Sequence, residues 1–195
     1  MADTANIAPL IRGLCDSNPQ KRGLAAAAIF EQGARTIQPV TQGWLAFLPL
    51  AGLLKRDAAT RTVEATVGVA VAPDVFEQIR VANGSPRLAD VPPDQDAREF
   101  ELEFPGGARL DILTTHQPGG DGAIARYLRR FDEGIQQVEV SVSDIDRATE
   151  LLRDQFALQP VYPATRAGAD GTRVNFFLVP VPGGKKVLIE LVETR

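Results

Sequence analysis

The same order of elements is predicted twice along this chain, and that duplication constrains the fold more than any other feature. Six stretches have the β-branched or alternating pattern of strands: TVGVAV, EFELEF, ARLDILT, QVEVSVS, RVNFFLV and KVLIELV. In each half a strand leads into a short helix, an irregular strand (near residues 87–91 or 158–162), and two strands joined by a Pro-Gly-Gly turn. The turns are Pro105-Gly106-Gly107 and Pro182-Gly183-Gly184. A tandem βαβββ unit predicts an α+β fold.

The strand pattern places polar side chains at matching positions in the two halves. Asp111 and Glu190 alternate with apolar residues in the last strand of each half, and Thr66 and Gln137 occupy equivalent points of the first strands. If these faces line one cavity, it collects four oxygen-bearing side chains. The alternative is a solvated face, which antiparallel sheets often have. The pattern alone leaves both interpretations open.

The first part of the chain has the pattern of a small helical segment. Three helices are predicted: one with an apolar stripe at residues 7–14, one that begins at Pro19 and ends at Gly33, and one at residues 37–45. Five spaced residues resemble one HEAT-like repeat; they are Leu14, Asp16, Arg22, Ala25 and Gly33. Because stacked repeats need about three units to be stable, a helical cap on the main domain or on a dimer partner is the preferred interpretation.

These patterns predict two domains. The helical segment covers residues 1–56, a polar linker covers 57–62, and the strand-rich domain covers 63–195. Within the second domain, modules at 63–117 and 135–195 are joined by a connector helix at 121–131.

The composition excludes several classes of protein. With one histidine (His116) and one cysteine (Cys15), the chain lacks the ligands of a structural zinc site, so oxygen groups must carry most ionic chemistry. A net charge of −4 argues against a general nucleic-acid binder. The longest apolar run, residues 44–54, is shorter than the roughly 20 residues that span a membrane. A lone cysteine and the lack of a signal-peptide pattern predict a cytoplasmic protein.

Residues 65–193 resemble the vicinal-oxygen-chelate superfamily (the glyoxalase/bleomycin-resistance fold), and within it the methylmalonyl-CoA epimerases. The family's opening strand is similar to H-I-G-I-A-V, here TVGVAV at residues 66–71. Its linker and fifth strand are similar to G-L-H-H-I-A-F-E-V-x-D-I, here GIQQVEVSVSDI at 134–145. The motif V-L-I-E-L is unchanged at 187–191. The resemblance implies the vicinal-oxygen-chelate fold for this domain.

The resemblance also implies a metal site with one ligand from each of four strands, at Thr66, Asp111, Gln137 and Glu190. The two histidines common in the family are replaced here by Thr66 and Gln137. The resulting oxygen set suits Mg²⁺, Mn²⁺ or Ca²⁺ better than Zn²⁺, and Mg²⁺, Mn²⁺ or Co²⁺ is the expected cofactor. A remnant site without metal, closed by hydrogen bonds, is the alternative.

The implied activity is proton transfer next to the thioester of an acyl-CoA or on another enolisable small molecule, as in an isomerase or a lyase. The implied base lies in residues 91–96, with Asp94 as the candidate, and Glu190 is a second catalytic candidate. Glu101 and Glu139 are alternative catalytic carboxylates if their side chains point into the cavity. The alternatives are a non-catalytic small-molecule-binding protein and an interaction module built on the helical segment. A homodimer is expected from the resemblance.

Overall fold

The computed structural model of the chain describes residues 7–58, 61–181 and 186–194. Within these residues the α-helices are α1 (Ala8–Gly13), α2 (Pro19–Ala46), α3 (Leu48–Ala51), α4 (Pro73–Ala82), α5 (Ala123–Phe131) and α6 (Ile145–Phe156). The strands of the described residues are β1 (Ala65–Ala70), β2 (Arg98–Phe104), β3 (Ala108–Thr114), β4 (Gly134–Ser141), β5 (Arg166–Ala167), β6 (Arg173–Pro180) and β7 (Lys186–Glu193). The predicted α+β class and the duplicated strand–helix–strand order are confirmed.

The chain forms two compact units. The first contains Met1–Gly33 and Thr66–Gln136, and the second contains Ala34–Ala65 and Gln137–Arg195. Each unit therefore contains one of the two halves with the repeated strand–helix–strand order, together with part of the helical segment. This grouping differs from the predicted domains 1–56 and 63–195, which stay a prediction.

In the first unit, β3 lies between β1 and β2. Strand β1 is parallel to β3, with Val67 beside Leu110, and β2 is antiparallel to β3, with Phe100 beside Ile112. These four side chains are fully buried and share one face, as the strand alternation predicts. Helix α4 covers this face through Phe76, whose ring lies 4.7 Å from the ring of Phe100. The opposite face of the three strands carries the polar side chains.

The second unit repeats this arrangement and adds an edge strand. Strand β4 is parallel to β7, β7 is antiparallel to β6, and β6 is antiparallel to the two-residue β5. The buried face is formed by Val138 and Val140 of β4 with Ile189 and Leu191 of β7. Helix α6 begins at the predicted N-cap, because the Asp144 carboxylate accepts a hydrogen bond of 2.9 Å from the Arg147 backbone N–H.

Both predicted irregular strands differ from the structure. No strand forms at residues 87–91, where the Ala89 N–H donates one hydrogen bond of 3.0 Å to the Glu99 carbonyl. At residues 158–162 the structure has one isolated bridge, between Pro160 and Phe177, and the edge strand β5 forms later. Prolines flank or interrupt both segments and have no N–H to donate, so neither segment can form a continuous ladder.

The first Pro-Gly-Gly sequence forms the predicted turn between β2 and β3. Gly106 and Gly107 have φ angles of 91° and 82°, a region that favours glycine. The Gly107 N–H donates to the Phe104 carbonyl at 3.2 Å and closes the turn. The second predicted turn, at residues 182–184, lies outside the described residues.

The prediction that a helix ends at Gly33 is wrong, because α2 continues through Gly33 and Pro39 to Ala46. Glycine is needed at position 33 for packing: an added Cβ would lie 2.6 Å from a Val67 methyl carbon on β1. The two helices predicted on either side of Gly33 are therefore one helix of 28 residues. The resemblance to a HEAT-like repeat is not confirmed.

Two polar residues of the HEAT-like pattern have a local structural role. The Arg22 guanidinium donates to the Asp16 carbonyl at 2.8 Å and to the Asn83 side chain at 3.0 Å. Asn83 in turn donates to the Leu14 carbonyl at 3.0 Å. These bonds fix the turn between α1 and α2 against the end of α4.

Within the described part of the chain, no helix is both long and apolar enough to cross a membrane.

Candidate functional site

A buried carboxylate and a buried amide touch each other on adjacent strands of the second unit. Gln137 on β4 is 7% exposed and Glu190 on β7 is 8% exposed. The Gln137 Nε2 group donates a hydrogen bond to Glu190 Oε2. The parallel register, with Val138 beside Ile189, puts both side chains on the face opposite the apolar core. The bond satisfies part of the hydrogen-bonding capacity of a carboxylate that is costly to bury without a partner.

Two further side chains flank Glu190 on the same face. Glu139 is its register partner on β4 and is half-buried. Phe176 is its register partner on β6 and is also half-buried. Glu190 therefore lies between a second carboxylate and an aromatic ring. Two neighbouring carboxylates and an amide can move protons or hold a hard cation.

The first unit carries a related polar set on the corresponding face. Asp111 on β3 is 4% exposed and is in register with Gly68 on β1. Thr66 precedes Gly68 by two residues and therefore shares this face, where it is half-buried. Glu101 on β2 is directly opposite Asp111 and is exposed. The structure thus brings Asp111 and Glu101 to neighbouring positions of one polar face.

Helix α5 covers one end of that face in the first unit. Its residues Ile124, Tyr127 and Leu128 pack on Ala70 and Leu113 at the ends of β1 and β3. The Tyr127 hydroxyl donates a 2.8 Å hydrogen bond to the Ile135 carbonyl. Burial raises the pKa of Tyr127 to about 12, so the phenol is the hydrogen-bond donor over the physiological pH range. This contact ties the middle of α5 to the start of β4.

The predicted base Asp94 is exposed in a short 3₁₀ turn, Pro93–Gln95. Asp96 follows two residues later and is half-buried, with a φ of 41°. Its Oδ2 atom accepts a 2.8 Å hydrogen bond from the buried Thr115 hydroxyl at the end of β3. Asp96 was not among the residues predicted from the sequence. Aspartate tolerates this backbone conformation better than most residues.

The four predicted metal ligands fall in two pairs. Gln137 and Glu190 are in contact in the second unit, and Thr66 and Asp111 share a face of the first unit. The four-residue site stays a prediction. Within residues 7–58, 61–181 and 186–194, no group of three or more His, Cys, Asp and Glu side chains is placed to hold a metal ion. Any cation on these faces would rely in part on amide, hydroxyl or water oxygens.

The single histidine and cysteine lie apart from these polar faces. His116 follows the end of β3 and is exposed. Cys15 is partly buried in the turn after α1, where burial raises the pKa of its thiol. A raised pKa lowers the thiolate fraction, so this cysteine lacks the character of an activated nucleophile.

Three residues that the sequence analysis did not single out line the Glu190 face of the second unit. The Arg166 guanidinium carbon lies 4.5 Å from the centre of the Tyr162 ring. The Tyr162 ring meets the Phe176 ring edge to face, with 6.0 Å between their centres. Tyr162 lies in an irregular segment, and Arg166 lies in a two-residue strand. Neither segment has an alternating pattern from which the direction of its side chains could be predicted.

The chain is similar to several proteins of known structure. A methylmalonyl-CoA epimerase from Mycobacterium tuberculosis is 36% identical, with a TM-score of 0.53, over 67% of this chain and 86% of that chain. A methylmalonyl-CoA epimerase in complex with methylmalonyl-CoA and NH₄⁺ is 24% identical, with a TM-score of 0.53, over 73% of this chain and 95% of that chain. A hypothetical protein from Bacillus halodurans C-125 is 22% identical, with a TM-score of 0.54, over 67% of this chain and 92% of that chain.

The last two similarities are below 25% identity and show the fold alone. No family model matches the chain, and no similar sequence is found among curated proteins. The identity to the Mycobacterium tuberculosis protein, over most of that protein's length, shows the family. The chain therefore belongs to the vicinal-oxygen-chelate superfamily, in the family that includes this methylmalonyl-CoA epimerase.

Proposed function

We propose that the protein is an epimerase-like enzyme that moves the proton on the carbon next to the thioester of an acyl-CoA. The observation that carries this proposal is the buried pair of Gln137 and Glu190, with Glu139 in register beside it. The 36% identity to a methylmalonyl-CoA epimerase supports the choice of an acyl-CoA. Methylmalonyl-CoA is the first substrate to test.

The reaction needs a base, an acid and a stabilised enolate. A carboxylate removes the α-proton, and negative charge then develops on the thioester oxygen, where a hydrogen-bond donor or a cation lowers its energy. We assign Glu190 and Glu139 as the carboxylates nearest the reacting carbon, and the Gln137 amide as the group that orients Glu190. Glu101 and Asp94 stay candidates for the group that exchanges the proton on the other side of the substrate.

The residue types fit a divalent cation. Asp111 and Glu190 are buried carboxylates, and Gln137 and Thr66 supply neutral oxygens, a set that suits Mg²⁺, Mn²⁺ or Co²⁺. We propose that these four residues would hold such an ion. When bound, it would add positive charge where the enolate oxygen forms.

Exchange of the α-proton tests the proposal. Purified protein is incubated with methylmalonyl-CoA in D₂O with Mg²⁺ or Co²⁺, and deuterium at the α-carbon is followed by mass spectrometry. The wild-type protein should exchange faster than Glu190→Ala by about 100-fold or more, since one positioned acid or base contributes about 10²- to 10⁴-fold. Glu150→Ala is the matched control, because it removes an exposed carboxylate from α6 in the same unit. Equal rates for wild type and Glu190→Ala would refute the proposal.

A non-catalytic small-molecule-binding protein is the second candidate. The specific observation in its favour is that Gln137 and Glu190 already hydrogen-bond to each other, so each satisfies polar groups of the other without a cation. This candidate predicts acyl-CoA binding without α-proton exchange.

We also propose that the protein is a homodimer. Light scattering should then give about twice the chain mass of 21.0 kDa.

A further inference from the structure

We propose that the outer face of α5 binds the phosphoadenosine part of the acyl-CoA. The inference rests on the proposed function, because it assigns how the same substrate is held. It begins from a concentration of positive charge: α5 contains three arginines and no acidic residue, in a chain whose net charge is −4. All three are exposed, and they are Arg126, Arg129 and Arg130. A basic helix on an acidic protein is a surface that attracts an anion.

The amphipathic pattern of α5 separates these arginines from the side chains that pack on the sheet. Ile124, Tyr127 and Leu128, spaced at i, i+3 and i+4, pack on Leu113 at the end of β3. The arginines repeat this spacing on the opposite side of the helix. Leu113 alternates with Asp111 on β3, so α5 borders the face that carries Asp111.

This position suits the phosphates of the proposed substrate. The pantetheine arm of an acyl-CoA separates its thioester from its phosphates. Cations that bind the phosphates are therefore expected at the border of a polar face, and not beside the carboxylates that act on the thioester.

On α6, by contrast, two arginines form ion pairs with carboxylates of the same helix. Arg147 lies 2.8 Å from Glu150, and Arg153 lies 2.8 Å from Asp154. These pairs compensate the charge of α6 locally. No such compensation is possible within α5, because the helix has no acidic residue.

The arginines of α5 mainly contact neutral groups. Arg126 donates to the Asp121 carbonyl, and Arg129 donates to the Gly120 carbonyl. The Asp121 carboxylate lies 3.5 Å from Arg129, but its side chain is 97% exposed, and an exposed pair of this kind is strongly screened. Carbonyl groups orient a guanidinium without neutralising its charge. Adjacent like charges on a helix repel one another, and a bound phosphate would relieve that repulsion.

An exposed aromatic ring lies beside the same cations and favours a nucleotide as the ligand. Phe131 ends α5 and is 60% exposed. The Arg130 guanidinium carbon lies 5.1 Å from the centre of the Phe131 ring, and the Tyr127 ring lies 5.3 Å from it. Surfaces that combine aromatic rings with cations bind nucleotides by base stacking and phosphate contacts. A free phosphate or a lipid headgroup would use the cations alone.

The test compares methylmalonyl-CoA with methylmalonyl-pantetheine, which keeps the acyl thioester and lacks the phosphoadenosine part, by isothermal titration calorimetry. Arg126→Gln/Arg130→Gln should weaken methylmalonyl-CoA binding by about fivefold or more, the size expected when two exposed charge contacts are lost. Higher salt should reduce the difference from wild type. Methylmalonyl-pantetheine binding should change by less than about twofold, which also shows that the variant is folded.

Adenosine 3′,5′-bisphosphate provides a second readout, because it has phosphates and a base but no acyl group. It should bind the wild-type protein and lose affinity in Arg126→Gln/Arg130→Gln. Phe131→Leu should weaken its binding by about fivefold or more, since the ring on which the base stacks is removed. Methylmalonyl-pantetheine should bind Phe131→Leu as it binds the wild type.

Arg147→Gln/Arg153→Gln is the matched control, because it removes two exposed arginines from another helix. The inference is overturned if the α5 double variant weakens both thioesters equally or weakens neither, or if the control has the same effect. It is also overturned if vesicles of anionic phospholipid, and not adenosine 3′,5′-bisphosphate, bind the wild type and lose binding in the α5 variant.

Failure of the proposed function is a separate result. If α-proton exchange is missing while the α5 double variant still loses methylmalonyl-CoA selectively, the proposed function fails and the phosphoadenosine site stands. If exchange occurs with the same KM for methylmalonyl-CoA in wild type and double variant, the inference alone is overturned. A wild-type protein that binds none of these ligands would overturn both proposals.

Discussion

Gln137 differs chemically from the histidine that the family resemblance places at its position. A glutamine amide does not titrate, and its Nε2 group donates to Glu190 instead of taking part in proton exchange. In the proposed function, proton transfer in the second unit is therefore assigned to Glu190 and Glu139. With glutamine instead of histidine, the atom at this position that could bind a cation is an amide oxygen and not a ring nitrogen.

The first prediction concerns cation binding at Glu190. Mn²⁺ binding is measured by the loss of the free-ion signal in electron paramagnetic resonance, which is independent of activity. Glu190→Ala should weaken Mn²⁺ binding by about tenfold or more, since it removes a carboxylate ligand. Glu150→Ala, an exposed carboxylate of α6, should leave it unchanged. Equal Mn²⁺ affinity in wild type and Glu190→Ala would show that Glu190 is not a ligand.

The second prediction concerns Tyr127 and pH. The pKa of Tyr127 is raised from its ordinary value of about 10 to about 12, because burial disfavours the phenolate. The folded state therefore prefers the protonated phenol. Its contribution to stability is complete below pH 10, and it is lost as the pH rises through about 12.

The measurement compares wild type with Tyr127→Phe by urea unfolding. At neutral pH the variant should be less stable by about 1 kcal/mol, because the Ile135 carbonyl loses its donor. Between pH 10 and 12 the difference between the two proteins should shrink, as the wild type loses the contribution of the phenol. A difference that stays constant with pH would contradict this assignment.

At the scale of elements, alternation predicted the faces of the regular strands correctly. Val67, Leu110 and Phe100 share the buried face, and Asp111 lies on the opposite one, as the period of two requires. The same rule located Gln137 and Glu190, which the structure shows in contact. The rule applies because each strand is long enough to have a pattern and lacks an internal proline.

Elements without such a pattern were not predictable. The facing of Tyr162 and Arg166 depends on tertiary contacts with β6 in a segment interrupted by prolines. Gly33 was predicted as a helix end because glycine is common there, but its role depends on Val67, which is distant in sequence. Local rules describe what a residue favours in its own segment, and these positions are decided by a neighbour from another segment.

The third prediction tests the packing of α2 on β1. Gly33→Ala adds a Cβ atom 2.6 Å from a Val67 methyl carbon, so the helix or the strand must shift. We expect a loss of stability of about 1–3 kcal/mol, the usual cost of overpacking. Gly23→Ala in the same helix is the control: its Cβ meets nothing within 4 Å, and alanine should stabilise the helix by up to about 1 kcal/mol.

Urea unfolding of both variants measures the two effects. A Gly33→Ala variant as stable as Gly23→Ala would show that α2 does not pack closely on β1.

At the scale of the whole chain, the helical segment belongs to both compact units. Ile11 and Ile29 are buried in the first unit, and Ile37 and Trp44 are buried in the second, each at 3% exposure or less. Burial of a large apolar side chain contributes about 1.5–3 kcal/mol. The segment therefore contributes to both cores.

The fourth prediction is that deletion of residues 1–56 prevents stable folding of the remainder. Circular dichroism and limited proteolysis should show loss of cooperative unfolding and rapid cleavage, because the deletion exposes the apolar residues that the segment covers. A deleted chain that unfolds cooperatively with wild-type stability would contradict this, and would favour the segment as a detachable interaction module.

The proposed reaction is inversion of the α-carbon of an acyl-CoA by the carboxylates of the protein. The most direct measurement starts from one epimer of methylmalonyl-CoA in D₂O and determines the epimer ratio and the α-deuterium content together over time. We expect the ratio to approach one to one, with deuterium in the newly formed epimer, at a rate that depends on Glu190. A single epimer that persists, with no more deuterium than in the Glu190→Ala reaction, would contradict it.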